Sequence, residues 1–279
     1  MTVRIVTDST CDLPAALVEA HGITVVPLTV FFGDDALLDG VEISATEFYE
    51  RLRASSTLPR TSQPSVELFR ETYQRVSADG DEIVSIHLSS KLSGTLNAAS
   101  VAREEVAPET HVDLIDSYQV SLGLGLIVLE AARAAQAGAS LAEVVATARR
   151  AMDRVSVHVS VDTLEYLQKG GRIGRARSFL GSVLSIKPIL KVENGEVAPL
   201  ERVRTRSKAN ERMFEIASSM ARAKEMFIAH SANEVEARAM IERLRPRLPH
   251  TDLILAEIGP VVGVYAGPGA LGIAALERE

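Results

Sequence analysis

The sequence predicts an α/β protein of two lobes, an N-terminal parallel sheet flanked by helices and a smaller α+β lobe after it. Two patterns carry this reading. Through the first half, short β-branched runs alternate with amphipathic stretches, the rhythm of βαβ units. Beyond residue 155 that rhythm gives way to glycine-rich turns and a hairpin signal, which divides one overall domain, 1–279, into lobes at 1–154 and 155–279.

Taken in order, Val3-Arg4-Ile5-Val6 reads as the first strand and Thr24-Val25-Val26-Pro27-Leu28 as the second. Helical periodicity covers 45–54 and 66–77. Ile83 to Ile86 and Val112 to Ile115 are strands, each followed by a helix, at 94–106 and 121–136, and Leu141 to Asp153 adds another helix. The second lobe opens on a strand, Val155 to Val161, before the glycine-rich Gly170-Gly171-Arg172-Ile173-Gly174. Ser185 to Leu190 and Glu196 to Val203 form a predicted hairpin turned at Asn194-Gly195. A helix at 207–222, a strand from Met226 to His230, a helix at 233–245 and a strand from Leu253 to Glu257 follow. The closing stretch, Gly259 to Gly272, carries five glycines and two prolines, marking it as a chain that must turn tightly. Parallel sheets bind ligands beyond the carboxyl ends of their strands, so the loops after Val6, Ile86 and Ile115, and the cleft between the lobes, are where a site is expected.

Composition narrows the function. With 46% apolar residues the chain can bury a sizeable core. Thirty Lys and Arg against 37 Asp and Glu leave a net charge of -7, so no overall positive field gathers nucleic acid or anionic lipid. Aromatics make up only 4% and Trp is absent, which removes the stacking platforms of single-strand binders; nucleic acid is not an expected partner. One cysteine, Cys11, permits neither an internal disulfide nor a cysteine metal cluster and suits a reducing compartment. With no leader-like pattern at Met1, the expected location is the cytoplasm. The most apolar helical stretch, from Ser121 to Val128, meets Glu130 and Arg133 well before the roughly 18 apolar residues of a membrane span, so membrane contact is transient at most. No His, Cys, Asp or Glu grouping has metal-ligand spacing, and no metal is expected.

Two hydroxyl-rich loops stand out. In Thr61-Ser62-Gln63-Pro64-Ser65, Ser65 is placed to cap the helix that follows, which leaves the hydroxyls of Thr61 and Ser62 free. Ser89-Ser90-Lys91-Leu92-Ser93-Gly94-Thr95 runs from a strand into a helix start, where free N–H groups favour an anion; Ser93 can cap that helix and still meet a carboxylate. Gly267-Pro268-Gly269-Ala270-Leu271-Gly272 has the spelling of a dinucleotide fingerprint, but no acidic residue can follow about 20 positions later. No Gly-x-Ser-x-Gly elbow exists, and His87, a conceivable base near Ser93, sits at a strand end where a lone histidine is usually structural. Arg172, Arg175 and Arg177, then Arg202, Arg204 and Arg206, form two basic clusters, readable as a solvated face or as a rim that docks a partner.

Together, Thr7-Asp8-Ser9 with Asp12-Leu13-Pro14, Thr61 to Ser65, Ser89 to Gly94, Lys169-Gly170-Gly171-Arg172-Ile173, Arg202-Val203-Arg204-Thr205 and Gly267-Pro268-Gly269 resemble the DegV family over nearly the whole chain. The resemblance implies a two-lobe DegV-like fold that buries one long-chain, palmitate-like fatty acid between its lobes, its carboxylate meeting Thr61 and Ser93, with Ser62 and Tyr265 alongside. It implies a carrier with no catalysis or cofactor of its own, which presents the acid to a fatty-acid kinase for acyl-phosphate formation in phospholipid synthesis. Arg172, Arg202 and Arg204 are then candidates for the partner-facing rim. The family often has a histidine in Gly-x-His-x-Gly-Pro-Gly, where this chain has Tyr265; a phenol donates a hydrogen bond but has no cationic form. Two other classes stay open: an enzyme acting on a lipid, for which no phosphate loop or nucleophile and base pair is apparent, and a lipid-binding regulatory or interaction protein whose arginine-rich rim docks another partner.

Overall fold

The computed structural model describes residues 2–77, 80–181 and 186–279. Its class is α/β, as predicted. Strand β1 (Val3–Asp8) leads through a single 3-10 turn to helix α1 (Ala15–Ala20) and strand β2 (Thr24–Val26). Then come β3 (Thr29–Phe32), β4 (Asp35–Leu38), helix α2 (Ala45–Ala54), β5 (Arg60–Ser62), α3 (Val66–Val76), β6 (Glu82–His87), α4 (Thr95–Val106), β7 (Val112–Asp116), α5 (Leu122–Gln136) and α6 (Leu141–Met152). The rest of the chain forms β8 (Val155–Ser160), the short α7 (Glu165–Lys169), β9 (Lys187–Glu193), β10 (Glu196–Val203), α8 (Arg206–Ser219), β11 (Ala223–His230), α9 (Glu234–Leu244), β12 (Asp252–Glu257), α10 (Pro260–Ala266) and β13 (Leu271–Glu277).

These strands make three sheets. The first is fully parallel, in the order β2-β1-β6-β7, and its central strands are buried on both faces, as a β-branched sequence under helices on either side requires. The second has six strands in the order β10-β9-β8-β13-β11-β12, antiparallel except for the β11 and β12 pair. The predicted hairpin is its edge: Asn194 and Gly195 take φ of 54° and 79°, the two left-handed residues of a type I′ turn. Ser185, where the hairpin was expected to begin, lies outside the described residues.

Three features of the sheets differ from expectation. The second strand stops at Val26, because Pro27 has no N–H to donate to a ladder. The chain then enters a small antiparallel sheet, β4-β3-β5, which strands of three or four residues are too short to announce by alternation. Strand β13, read only as part of a glycine-rich tail, fills the middle of the second sheet between β8 and β11; its Leu-Gly-Ile-Ala-Ala-Leu run has little β-branching, and pairing on both edges decides its state.

Helix α5 joins the two larger sheets. It is apolar nearly all round and almost wholly buried, contacting β1 and β6 on one side and β8 and β13 on the other. Its glycines allow this approach. A Cβ on Gly123 would stand 2.4 Å from Val157 Cγ2, and one on Gly125 would stand 2.7 Å from the Cys11 carbonyl oxygen. Helix propensity disfavours each by about 1 kcal/mol against alanine, so close packing is what retains them. The charges that rule out a membrane span are spent on ion pairs: Arg133 donates two bonds to Glu225, at 2.8 and 3.0 Å, and Glu130 accepts from Arg133 at 3.0 Å and Lys224 at 2.8 Å. Among the described residues no helix is long and apolar enough to cross a membrane.

Gly125→Ala tests this packing. On an exposed helix the change would stabilise the protein; here the methyl meets a backbone carbonyl, and a loss of about 1–2 kcal/mol in urea unfolding is expected from overpacking net of the propensity gain.

Candidate ligand-binding site

Beside the N-terminal turn of α5, between the two larger sheets, lies a cavity that with its mouth encloses about 1040 Å³. Its walls are apolar: Val157 and Val159 of β8, Leu190 of β9, Leu122 of α5, and Val261 and Val262 of α10. Thr61, Ser93, Tyr265 and Arg172 line it too, and a chain of contacts links Thr61, Tyr265 and Arg172 and reaches the backbone beside Ser93. Thr61 Oγ1 lies 2.6 Å from the Tyr265 hydroxyl. Arg172 Cζ sits 5.2 Å over the Tyr265 ring, and its Nε donates to the Leu92 carbonyl, next to Ser93, at 3.2 Å.

Local structure explains how the two hydroxyl loops meet. Thr61 is on β5, paired with Val30 of β3, and strand alternation turns its side chain inward while Arg60 and Ser62 face out. Ser62, expected at the carboxylate, is therefore exposed and does not line the cavity. Ser65 caps α3 as expected, accepting from Leu68 N at 3.1 Å. Ser93 does not cap α4: Gly94 is the cap residue, and Ser93 Oγ instead accepts weakly from Thr95 N at 3.3 Å and lies 2.9 Å from Thr95 Oγ1. Gly94 also lets the loops touch, since a Cβ there would fall 2.1 Å from Gln63 Oε1.

The glycine-rich segments serve two aromatic rings rather than a nucleotide. A Cβ on Gly170 would lie 2.5 Å from Tyr265 Cδ1, and one on Gly267 would lie 2.4 Å from Tyr166 Cδ2. Each ring therefore rests on the backbone of the other segment. The Gly267 to Gly272 spelling leads into a strand and not a helix, so it presents no helix N-terminus to a pyrophosphate.

The arginines do not form one patch of free charge. Arg172 donates from Nε to the Leu92 carbonyl and from Nη1 to the Gly170 carbonyl, the latter at 2.8 Å. Arg202 stacks 4.8 Å over the Phe179 ring, and Arg204, just past β10, is exposed. Arg206 pairs with Asp162 at 2.6 Å.

Two carboxyls, half-buried Asp12 and buried Asp39, not singled out from the sequence as site residues, anchor helix α10 and with it Tyr265. Asp12 accepts from Gly259 N at 3.0 Å and from the Ser121 hydroxyl at 2.5 Å, tying α10 to the start of α5. Asp39 accepts from the Ser9 hydroxyl at 2.8 Å and from the backbone of Val261. Burial pushes Asp12 well above the usual carboxylate range, and it pushes Asp39 up to about 7. Burial likewise raises the Cys11 thiol, which makes it inert.

His87 proves structural. Its Nδ1 lies 3.0 Å from Asp8 Oδ2 and its Nε2 lies 2.7 Å from Ser85 Oγ, which in turn is 2.9 Å from the Tyr73 hydroxyl. The order acid, histidine, serine is that of an acyl-transfer triad, but all four side chains are 0% exposed and none lines the cavity. Among the described residues no group of three or more His, Cys, Asp or Glu could hold a metal ion.

Comparison with known proteins agrees with this architecture. A family model for DegV proteins matches residues 2–278. A DegV domain-containing protein of Streptomyces coelicolor is 46% identical over 280 residues, spanning 99% of each chain. A DegV family protein from Thermus thermophilus, described as binding fatty acid, superposes with a TM-score of 0.92 at 36% identity over 100% of both chains. DegV of Bacillus subtilis, described as a fatty acid binding protein, gives a TM-score of 0.92 at 33% identity, again over 100% of both.

The Asp39 carboxyl generates a pH prediction. Its folded pKa of about 7 exceeds the ordinary 3.8, so the fold keeps a proton that the unfolded chain gives up. Its contribution is fully present below about 3.8 and is lost as pH rises toward 7. Asp39→Asn should therefore gain on the wild type across that range in urea titrations, by up to about 4 kcal/mol from a shift of about three units. A constant difference between the two from pH 4 to 7 would contradict the assignment.

Proposed function

The chain belongs to the DegV family, and on that premise we propose that it holds one long-chain fatty acid in the cavity between its two larger sheets, carboxylate toward Thr61, Tyr265 and Ser93, and presents it to a fatty-acid kinase. The observation that carries this reading is an apolar slot with hydroxyls, rather than an arginine fork, gathered at its mouth.

The energetics fit a carrier. A C16 acid has roughly 14 methylenes, and at about 0.8 kcal/mol each their burial offers on the order of 11 kcal/mol before association costs. The head group needs satisfied oxygens without being locked. A bidentate guanidinium would stabilise the ground state of a carboxylate whose oxygen must attack the γ-phosphorus of ATP, with ADP leaving. Arg172 also lines the slot, but its Nε and Nη1 donate to the carbonyls of Leu92 and Gly170 and its guanidinium stacks on the Tyr265 ring, which leaves fewer donors for a fork. The phosphoryl donor is the kinase's ATP, so the chain itself supplies binding and orientation and no catalytic group. Exposed Arg204 and the stacked Arg202 lie on the β10 edge, which supports a docking role for that edge.

Lipid extraction from chain purified out of a bacterial host, followed by mass spectrometry, should return about one acyl chain per protein. An empty cavity after purification and after incubation with palmitate counts against the carrier reading.

The head-group assignment has its own test. Thr61→Val with Tyr265→Phe removes two donors, each worth about 1.5–3 kcal/mol to a charged acceptor, while the tail slot is kept. Palmitate affinity should fall by at least about tenfold, and affinity for the matching fatty alcohol should change far less. A parallel fall in both would place the carboxylate elsewhere.

A further inference from the structure

A second concavity opens where the carboxyl ends of four strands converge. The first sheet contributes the loop after β1, from Ser9 to Val18, and Pro27 after β2; the second contributes His230 at the end of β11 and Glu257 at the end of β12. It is an open groove that with its mouth encloses about 1910 Å³, against about 1040 Å³ for the slot beside α5.

The lining is apolar with one sign of charge. Leu13, Val18, Val25, Leu255 and Pro260 form its walls. Val41 lines it at 70% exposure, and Val235, adjacent to the lining residue Glu234, is 82% exposed. Apart from His230, the ionisable side chains that line it are all carboxyls, namely Asp12, Glu19, Asp39, Glu234 and Glu257, with no Lys or Arg among them, and the raised pKa values of Asp12 and Asp39 leave most of the negative charge to the three glutamates. Asp12 and Asp39 are spent inward on α10, and Glu234 pairs with Arg238 on its own helix. The side chains of Glu19 and Glu257 have no hydrogen-bond or ion-pair partner among the described residues. Glu257 is only partly exposed, and burial together with the Glu234 charge raises its carboxyl, a condition that an incoming cation would relieve. His230 offers none, because burial lowers its pKa.

We propose that this groove docks a cationic amphipathic segment of a protein partner, its apolar face on Leu13, Val41 and Leu255 and a Lys or Arg paired with Glu257. Charge complementarity favours that occupant. A membrane surface does not match, since a lining of carboxylates repels anionic head groups.

The test uses the full chain and a fluorescent peptide of about 18 residues, roughly five helical turns, with leucine on one face and lysine on the other. Anisotropy titration should show saturable binding. Glu19→Gln with Glu257→Gln should weaken it by roughly tenfold or more, and Val41→Ser with Val235→Ser, which leaves the charge unchanged, by at least about fivefold. Glu104→Gln with Glu109→Gln, two exposed carboxylates outside the groove, alters net charge equally and should have no effect. Urea midpoints matching the wild type confirm that each variant is folded. The proposal is overturned if the wild type does not bind, if the control pair weakens binding as much as the groove pair, or if lysine-to-glutamate peptide binds equally well. It is overturned too if the valine pair has no effect, or if phosphatidylserine vesicles bind in a way that the groove substitutions abolish.

Discussion

The structure depends on one close approach: helix α5 passes between two sheets at a distance that only glycine permits on both sides. Gly125 lies against the backbone after β1, and Gly123 lies against Val157 of β8. The helix fills most of the space between the sheets, but not the part ahead of its first turn, where Val120, Ser121 and Leu122 look into the cavity. The slot is thus what remains when two sheets are held apart by a helix that occupies part of their interface. Its apolar walls are ordinary core faces that lack a protein side chain to cover them.

That origin explains the division of labour in the site. The wall residues need only be apolar and of the right size, whereas the mouth is built from segments far apart in the chain. Thr61 and Tyr265 are 204 positions apart and share a 2.6 Å contact, and Arg172 bridges from the Tyr265 ring to the backbone beside Ser93. The hydroxyls gathered there are neutral donors, able to satisfy a buried anion without pairing it with a fixed charge.

How much of this was legible in the sequence varies with the range of the interaction. The parallel sheet was readable because strands buried on both faces are continuous β-branched runs, and the hairpin because Asn-Gly encodes its turn locally. Strand β13 was not, since its small apolar residues acquire a state only from the strands on either side. In the site, Thr61 and Ser62 were indistinguishable as loop hydroxyls until β5 gave them opposite faces. Ser93 looked like a cap but stands one residue before the helix boundary. The glycines at 94, 170 and 267 carried no local sign of the side chains they accommodate, because a close approach is a property of the partner. Asp12 and Asp39 showed no motif beyond Asp-Leu-Pro, and only burial reveals them as anchors.

Asp12 joins the slot to the outer face of the molecule. One of its oxygens holds the first residue ahead of α10, the other holds Ser121 ahead of α5, and both helices contribute walls to the slot. The same residue lines the acidic groove outside. One carboxyl group thus fixes the lead-ins of two slot-lining helices from the inside while it faces the outer groove with the rest of its side chain.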